Sequence, residues 1–422
     1  MPQARKRGKH IDFMLLAVVT TLLAFGVVSV YSASYADSLR EWEDPTWLFE
    51  RQLIWATIGV VAMTVTAAID YSLWRRLAIP IMAVALIGLV LVLMLGSERF
   101  GAQRQLLNGS VQPSELTKVA VVIYIAAWLS SRRDKLSDVR LGLVPFAVLL
   151  GIITTLLAAE PDISTAVVIV ATAMTMFFIA GADLRQIFLA ILIAALTFGV
   201  LITQSGHARQ RVEDYLEFLH DPAQGGSEQA RKAIVLLAQG GPFGVGGPGA
   251  SQLDPQASIP VGWSDAILAI VGRDLGLIGT LLVIGLFAGL MWRGFQIALT
   301  ADDVFGMLLA SGVTFWLVFQ AAINIGVITA MIPFTGMPLP FISYGGSSLV
   351  TSLIGIGLLL SVSRGTSRRE AQSANLAIRW GYRRPRVSRA SDRQRPGRRA
   401  TGRRAASRTG RPTSTPVRRV PR

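Results

Sequence analysis

Gln112-Pro113-Ser114-Glu115-Leu116-Thr117-Lys118 runs directly into Val119-Ala120-Val121-Val122-Ile123-Tyr124-Ile125-Ala126-Ala127-Trp128-Leu129. A long apolar run headed by a proline reads as a helix beginning at Pro113, because the missing N–H is no loss in the first turn. Glu115 suits that turn, where a carboxylate faces free N–H groups. Lys118 does not. A cation there opposes the helix dipole, and at the head of a membrane helix it costs roughly 3 kcal/mol or more. Glu115 and Lys118 are three residues apart and share a helix face. The lysine therefore calls for an anionic partner or an anionic substrate.

Outward from this stretch the pattern repeats. The chain of 422 residues is 52% hydrophobic with a mean hydropathy of +0.50. Ten apolar runs are each long enough to cross a bilayer as a helix, at about 12–34, 52–69, 77–95, 114–131, 142–159, 163–181, 186–204, 266–292, 303–330 and 347–363. They are unbroken rather than alternating, which excludes a transmembrane β-barrel. The expected fold is all-α: a polytopic membrane protein of about ten transmembrane helices, with a large extracytoplasmic loop, 205–265, between helices seven and eight. The apolar core of the first run, Phe13 to Val30, is too long for a cleaved signal peptide. The chain has no cysteine, so neither disulfides nor thiolate metal sites arise.

Basic residues orient the bundle. Arg5, Lys6, Arg7 and Lys9 precede the first run; Arg75 and Arg76, then Arg132, Arg133, Lys135 and Arg140, then Arg185 and Arg293 fall between later ones on the same side. That side is expected to be the cytoplasm, with both termini in it. Residues 1–11 form a basic cytoplasmic N-terminus and 12–363 the membrane domain. In 364–422 nineteen arginines meet only two acids, Glu370 and Asp392, so the tail outweighs the whole chain's net charge of +15. Its composition predicts a disordered cytoplasmic tail that attracts anionic lipid headgroups or an acidic partner; no nucleic-acid role is expected behind a membrane helix.

The opposite side gathers the chemistry: 97–113, the turn Glu160-Pro161-Asp162, the loop 205–265 and the Pro-rich turn 331–346. Within the loop, Val212, Tyr215, Leu216 and Leu219 have helical spacing, predicting an amphipathic helix over 208–220. The glycines from Gly240 to Gly249 lack the Lys-Ser/Thr of a phosphate-binding loop. Asp265 precedes an apolar run, so it reads either as a helix N-cap or as a carboxylate able to take a proton from a sugar hydroxyl. Glu160 and Asp162 flank a turn, as acids often do. Arg273 and Asp274, inside a membrane run, read as a structural ion pair or as catalytic groups. Arg104 and Lys118 are close enough in sequence to bind one diphosphate. His10, His207 and His220 are scattered and suggest no zinc site.

These residues resemble the SEDS family (shape, elongation, division and sporulation), the FtsW/RodA type of peptidoglycan polymerase, over about residues 11–363. The matching pieces, in order, are Asp12 with Gly26 to Ser34; Gly101-Ala102-Gln103-Arg104; Gln112-Pro113-Ser114-Glu115 with Lys118; Pro161-Asp162; Asp265, with Gly272 and Leu275-Gly276 beyond it; and Pro333 to Leu349, which contains Pro340-Phe341-Ile342-Ser343-Tyr344-Gly345-Gly346-Ser347. Departures from the family pattern stand at Gln105, Glu160, Ser164, Trp263 and Arg273. The resemblance implies polymerisation of lipid II into glycan strands on the outer membrane face, with undecaprenyl diphosphate as leaving group. Asp265 is then the expected base. Arg104, Glu115, Lys118, Asp162, Ser343, Tyr344, Gly345 and Ser347 are the expected substrate contacts. A divalent cation, Mg or Mn, held by Glu115 or Asp162 is an option; no organic cofactor is expected. The implied partners are a class B penicillin-binding transpeptidase and other divisome or elongasome proteins. Two other readings stay open: a lipid-precursor flippase or transporter, and a catalytically weak scaffold for a transpeptidase.

Overall fold

A computed structural model describes residues 12–95, 97–99, 102–105, 112–133, 136, 138–222, 225–246 and 262–381. Among the described residues twelve helices follow one another: α1 (Phe13–Trp42), α2 (Trp47–Ala68), α3 (Tyr71–Leu95), α4 (Pro113–Ser131), α5 (Leu143–Ala159), α6 (Ile163–Ile179), α7 (Leu184–Gln204), α8 (Gly206–His220), α9 (Glu228–Gly240), α10 (Ile267–Leu299), α11 (Val304–Ile328) and α12 (Gly346–Gly381). A two-stranded antiparallel hairpin, β1 (Ser97–Arg99) with β2 (Ala102–Gln105), lies between α3 and α4. It is the one departure from all-α among the described residues, in a stretch expected to be plain loop.

Short polar side chains set where the helices begin. Asp12, Asp162, Asp183 and Asp303 accept main-chain N–H groups at the starts of α1, α6, α7 and α11, and Ser205 and Ser227 do so for α8 and α9. Each such cap stabilises its helix by about 1 kcal/mol. Among the described residues eight helices are long and apolar enough to cross a membrane; two shorter apolar ones, α5 and α6, are each 17 residues, at the short end for a span. The ten expected runs are these ten helices. The chain is a polytopic, helical membrane protein.

The core is layered by burial. In the most apolar windows of α11 and α12, 72% of residues are buried, and in α4 67%, against 6% in α7. So α4, α11 and α12 are inner helices, and α7 presents its apolar surface outward. Fully buried Ile123, Phe177, Trp316 and Leu353 belong to one apolar core. At one end Asp12 and Arg293 form an ion pair at 2.7 Å that joins the start of α1 to α10.

The loop between α7 and α10 is more structured than its length suggests. The expected amphipathic helix is α8, and the short apolar piece Ala233–Leu237 lies within α9. The glycine-rich segment then has a structural task. Helix α10 is broken at Gly276 (φ 68°, ψ −162°). The N–H groups of Val245 and Gly246 donate to the carbonyls of Arg273 and Asp274 at 3.0 and 3.3 Å, and those of Leu277 and Ile278 donate to Gly241 and Pro242 at 2.9 and 3.3 Å. The break frees main-chain groups that would cost several kcal/mol each in lipid, and this segment satisfies them. The approach needs glycine on both sides: a Cβ on Gly244 would meet the Asp274 carbonyl at 2.2 Å, and one on Gly276 the Gly244 nitrogen at 2.4 Å.

Helix α12 runs to Gly381, past the end expected at 363. Glu370, Ala371, Gln372, Ala374, Leu376 and Ala377 are residues that favour helix, which composition dominated by arginine obscured. The rest of the tail and residues 1–11 lie outside the described residues.

Candidate active site around Asp265

The turn between α11 and α12 is the floor of the site, and three helices hold it. From α11, Gln320 Nε2 donates to the Pro338 carbonyl at 2.9 Å, and Asn324 Nδ2 donates to the Met337 carbonyl at 2.7 Å. From α6, Ser164 Oγ donates to the Thr335 carbonyl at 3.1 Å; from α8, Arg211 Nη1 donates to the same oxygen at 2.9 Å. Inside the turn, Ser343 Oγ accepts from the Leu339 N–H at 2.8 Å. Tyr344 donates its N–H to the Trp263 carbonyl at 3.1 Å, and the two rings meet edge to face with centroids 4.9 Å apart. Carbonyls that would be costly to bury are thus accounted for.

Asp265 stands directly before α10. The N-cap position belongs to Ala266, whose side chain makes no capping bond. Asp265 is therefore one residue ahead of the N-cap position. Its Oδ1 accepts from Ser264 Oγ at 2.9 Å, and its main-chain carbonyl accepts from Asn324 Nδ2 at 2.9 Å. Its Oδ2 lies beside Gly336: a Cβ built there would be 3.3 Å from that oxygen and 3.6 Å from Arg211 Nη2. A half-buried carboxylate of this kind can accept a proton from a bound hydroxyl.

The Glu115–Lys118 pair predicted from their spacing forms. Lys118 Nζ is 2.8 Å from Glu115 Oε2 and also donates to Gln320 Oε1 at 2.8 Å. It lies 5.6 Å from the centre of the Trp316 ring, and Trp316 Nε1 donates to the same Gln320 oxygen at 3.1 Å. Lys118 is 2% exposed. Its anionic partner is an internal one, and through Gln320 it is wired to the turn at Pro338. Asp162 does two jobs: Oδ1 caps α6, while Oδ2 accepts from Ser114 Oγ at 2.9 Å and Gln112 Nε2 at 3.3 Å. Ser347 Oγ accepts from the Gln112 N–H at 2.9 Å, which ties the start of α4 to the start of α12. Gly345 contributes a carbonyl to the first turn of α12, accepting from Leu349. Asp274 is drawn to α1, where Ser32 Oγ donates to it. Arg104 falls in β2, and its side chain lies outside the described residues.

The acids proposed for a divalent ion are engaged within the protein. Glu115 is turned to Lys118, and both oxygens of Asp162 accept protein hydrogen bonds. Among the described residues no three acidic or histidine side chains come together; an ion held by one or two carboxylates and substrate phosphates needs fewer.

Residues 12–368 match the model of the FtsW/RodA/SpoVE family, described as a cell cycle protein. The chain belongs to that family. Among its FtsW/RodA/SpoVE relatives is a probable peptidoglycan glycosyltransferase FtsW of Trichlorobacter lovleyi, 38% identical over 84% of this chain and 93% of the relative. The stage V sporulation protein E of Bacillus subtilis is 36% identical over 84% of this chain and 97% of its own. A solved chain described under the structural coordination of polymerization and crosslinking by a peptidoglycan synthase complex superposes with a TM-score of 0.70, at 26% identity, covering 84% of this chain and 98% of that one. The rod shape determining protein RodA of Thermus thermophilus gives a TM-score of 0.62 at 25% identity, covering 84% and 97%.

Three residues of this FtsW/RodA/SpoVE-family site escaped the sequence reading. Gln320 and Asn324 are polar side chains one turn apart in an apolar helix, a spacing that marks an inward face in membrane helices. Arg211 heads the amphipathic stretch of α8, where attention to the apolar stripe passed over it.

Proposed function

We propose that this protein is a peptidoglycan glycosyltransferase that polymerises lipid II, with Asp265 as the base. One observation carries the assignment. Asp265 stands half-buried beside the turn that the inner helices hold, its main-chain carbonyl gripped by Asn324 and one carboxylate oxygen close to Gly336.

In the proposed step, the 4-hydroxyl oxygen of the acceptor sugar bonds to C1 of the lipid-linked donor. The bond from C1 to the diphosphate oxygen breaks, undecaprenyl diphosphate leaves with the bonding electrons, and the hydroxyl proton passes to Asp265. Ser264 holds the other carboxylate oxygen and fixes its orientation. No step is routed through a metal. Glu115 and Lys118 act by holding Gln320 and the turn. Arg104, Asp162, Tyr344, Gly345 and the hydroxyls of Ser343 and Ser347 remain candidate substrate contacts, of which the two hydroxyls are engaged in shaping the site.

The asymmetry of basic residues supports a site on the extracytoplasmic face, with both termini in the cytoplasm. The likeness to a chain of a peptidoglycan synthase complex supports a class B transpeptidase as partner, within either the division or the elongation machinery. The test is Asp265→Asn in a lipid II polymerisation assay with purified protein. Loss of glycan synthesis at unchanged thermal stability is expected; near-normal synthesis would sink the assignment.

A further inference from the structure

Asp265 is carried by an irregular stretch, Gly262-Trp263-Ser264-Asp265, that enters α10 at Ile267. Such a stretch has no hydrogen-bond ladder of its own, so the place of the carboxylate depends on what grips the residues around it. Asn324 grips Asp265 itself. Trp263, two residues earlier, is gripped from two sides. Toward the turn between α11 and α12, its carbonyl accepts the Tyr344 N–H at 3.1 Å, and its ring meets that of Tyr344 at an interplanar angle of 90°. Toward α1, its side chain makes a hydrogen bond to the half-buried carboxylate of Asp37, in the last two turns of that helix. The indole N–H is the one donor a tryptophan side chain has, so Asp37 is the acceptor for it. Asp37 lies beyond the stretch Gly26 to Ser34 that matches the family pattern, and Trp263 is one of the departures from that pattern. Neither partner in this bond is among the residues that the resemblance supplied.

We infer that Asp37 is a positioning residue for Asp265, acting through the Trp263 indole. This role rests on the one proposed for Asp265 and deepens it, by adding α1 to the elements that hold the carboxylate in place. An edge-to-face contact alone leaves a ring free to swivel on its neighbour; a hydrogen bond from its polar end removes that freedom. Displacing a reacting group by about 1 Å can cost roughly a hundredfold in rate, so an anchor two residues away acts on kcat without touching substrate. The competing reading is that Asp37 serves only its own helix, where Arg40 and Glu41, three and four residues on, lie close enough to act on it. That reading ties Asp37 to Arg40 and makes its bond to Trp263 incidental, and the two readings part on which neighbour's loss matters.

The experiment measures kcat and KM for lipid II, together with the indole N–H resonance of Trp263 in protein carrying isotope-labelled tryptophan, assigned by its loss in Trp263→Phe. Asp37→Ala should move that resonance and lower kcat by about tenfold with KM held within about twofold, in line with loss of a hydrogen bond to a charged group. Trp263→Phe keeps a ring against Tyr344 and lacks the N–H. It should lower kcat to a similar extent, and the double variant should be no worse than either single one, because both remove the same bond. Asp37→Asn keeps an acceptor and should recover most of the rate, while Arg40→Gln should leave both kcat and the resonance at their parent values. An unmoved resonance in Asp37→Ala, additive losses in the double variant, or an equal fall in kcat in Arg40→Gln would overturn the inference. The resonance reports the bond between Asp37 and Trp263 without reference to turnover, which keeps the two claims apart. An active Asp265→Asn protein whose resonance still answers to Asp37→Ala removes the base and leaves the anchor standing; a resonance that does not answer removes the anchor and leaves the base in place.

Discussion

Asn324 on α11 grips the main chain of Asp265: its amide donates to the Asp265 carbonyl at 2.9 Å, and the same nitrogen donates to Met337 at 2.7 Å. One buried side chain therefore sets the distance between the carboxylate-bearing segment and the turn below it. Asn324→Ala should leave two carbonyls short of a donor and shift Asp265. A loss of about 1–3 kcal/mol in stability is expected, with a fall in kcat of about tenfold or more and a smaller change in KM. Steady-state kinetics alongside thermal denaturation separate these effects. A kcat that falls only in proportion to the folded fraction would count against a positioning role.

Lys118→Met removes the charge from a pair that is shut away from solvent. The carboxylate of Glu115 is then left buried without its cation, which costs about 3–5 kcal/mol. The prediction is a marked drop in thermal stability, partly relieved in the double variant Glu115→Gln with Lys118→Met, since that variant buries no charge. If the single substitution keeps full stability and instead abolishes substrate binding, Lys118 faces the substrate after all.

Gly26 bears on the same turn from the opposite side. A Cβ there would stand 2.3 Å from the Phe341 carbonyl oxygen and 2.6 Å from the Ile342 Cα. Both obstacles are backbone. Gly26→Ala should therefore destabilise by about 1–3 kcal/mol through overpacking, although alanine is the better helix former. An unchanged melting temperature would mean that α1 and the turn are not packed so closely.

Deletion of 382–422 removes most of the arginine-rich tail. Polymerisation in detergent should be unaffected, while binding to anionic vesicles should weaken, and the difference should fade as salt rises. Loss of activity in detergent at normal folding would place the tail within the enzyme.

The membrane helices were legible because lipid imposes one rule on every span, and the acidic residues that begin several of them are local signals. Spacing also paired Glu115 with Lys118. What it left open was whether the anion facing the lysine is protein or substrate, since the partner Gln320 comes from more than two hundred residues away. Asp265 was ambiguous for a related reason: an acid before an apolar run looks the same whether it caps a helix or not, and in the folded chain the N-cap position falls to Ala266. The stretch over 97–105 read as loop because a hairpin that short has little room for alternation. The glycines between Gly240 and Gly246 were unreadable because their partners are main-chain atoms, which carry no residue-specific mark.

Those glycines make α10 a spliced helix. Its two halves are joined across the fault at Gly276 by a piece of chain that belongs to a different loop, much as a splint bridges a fracture. Within a bilayer no water waits to take over a released hydrogen bond. The angle between the halves is therefore set by the splint's hydrogen bonds. Whatever pulls on the loop between α7 and α10 pulls on that fault.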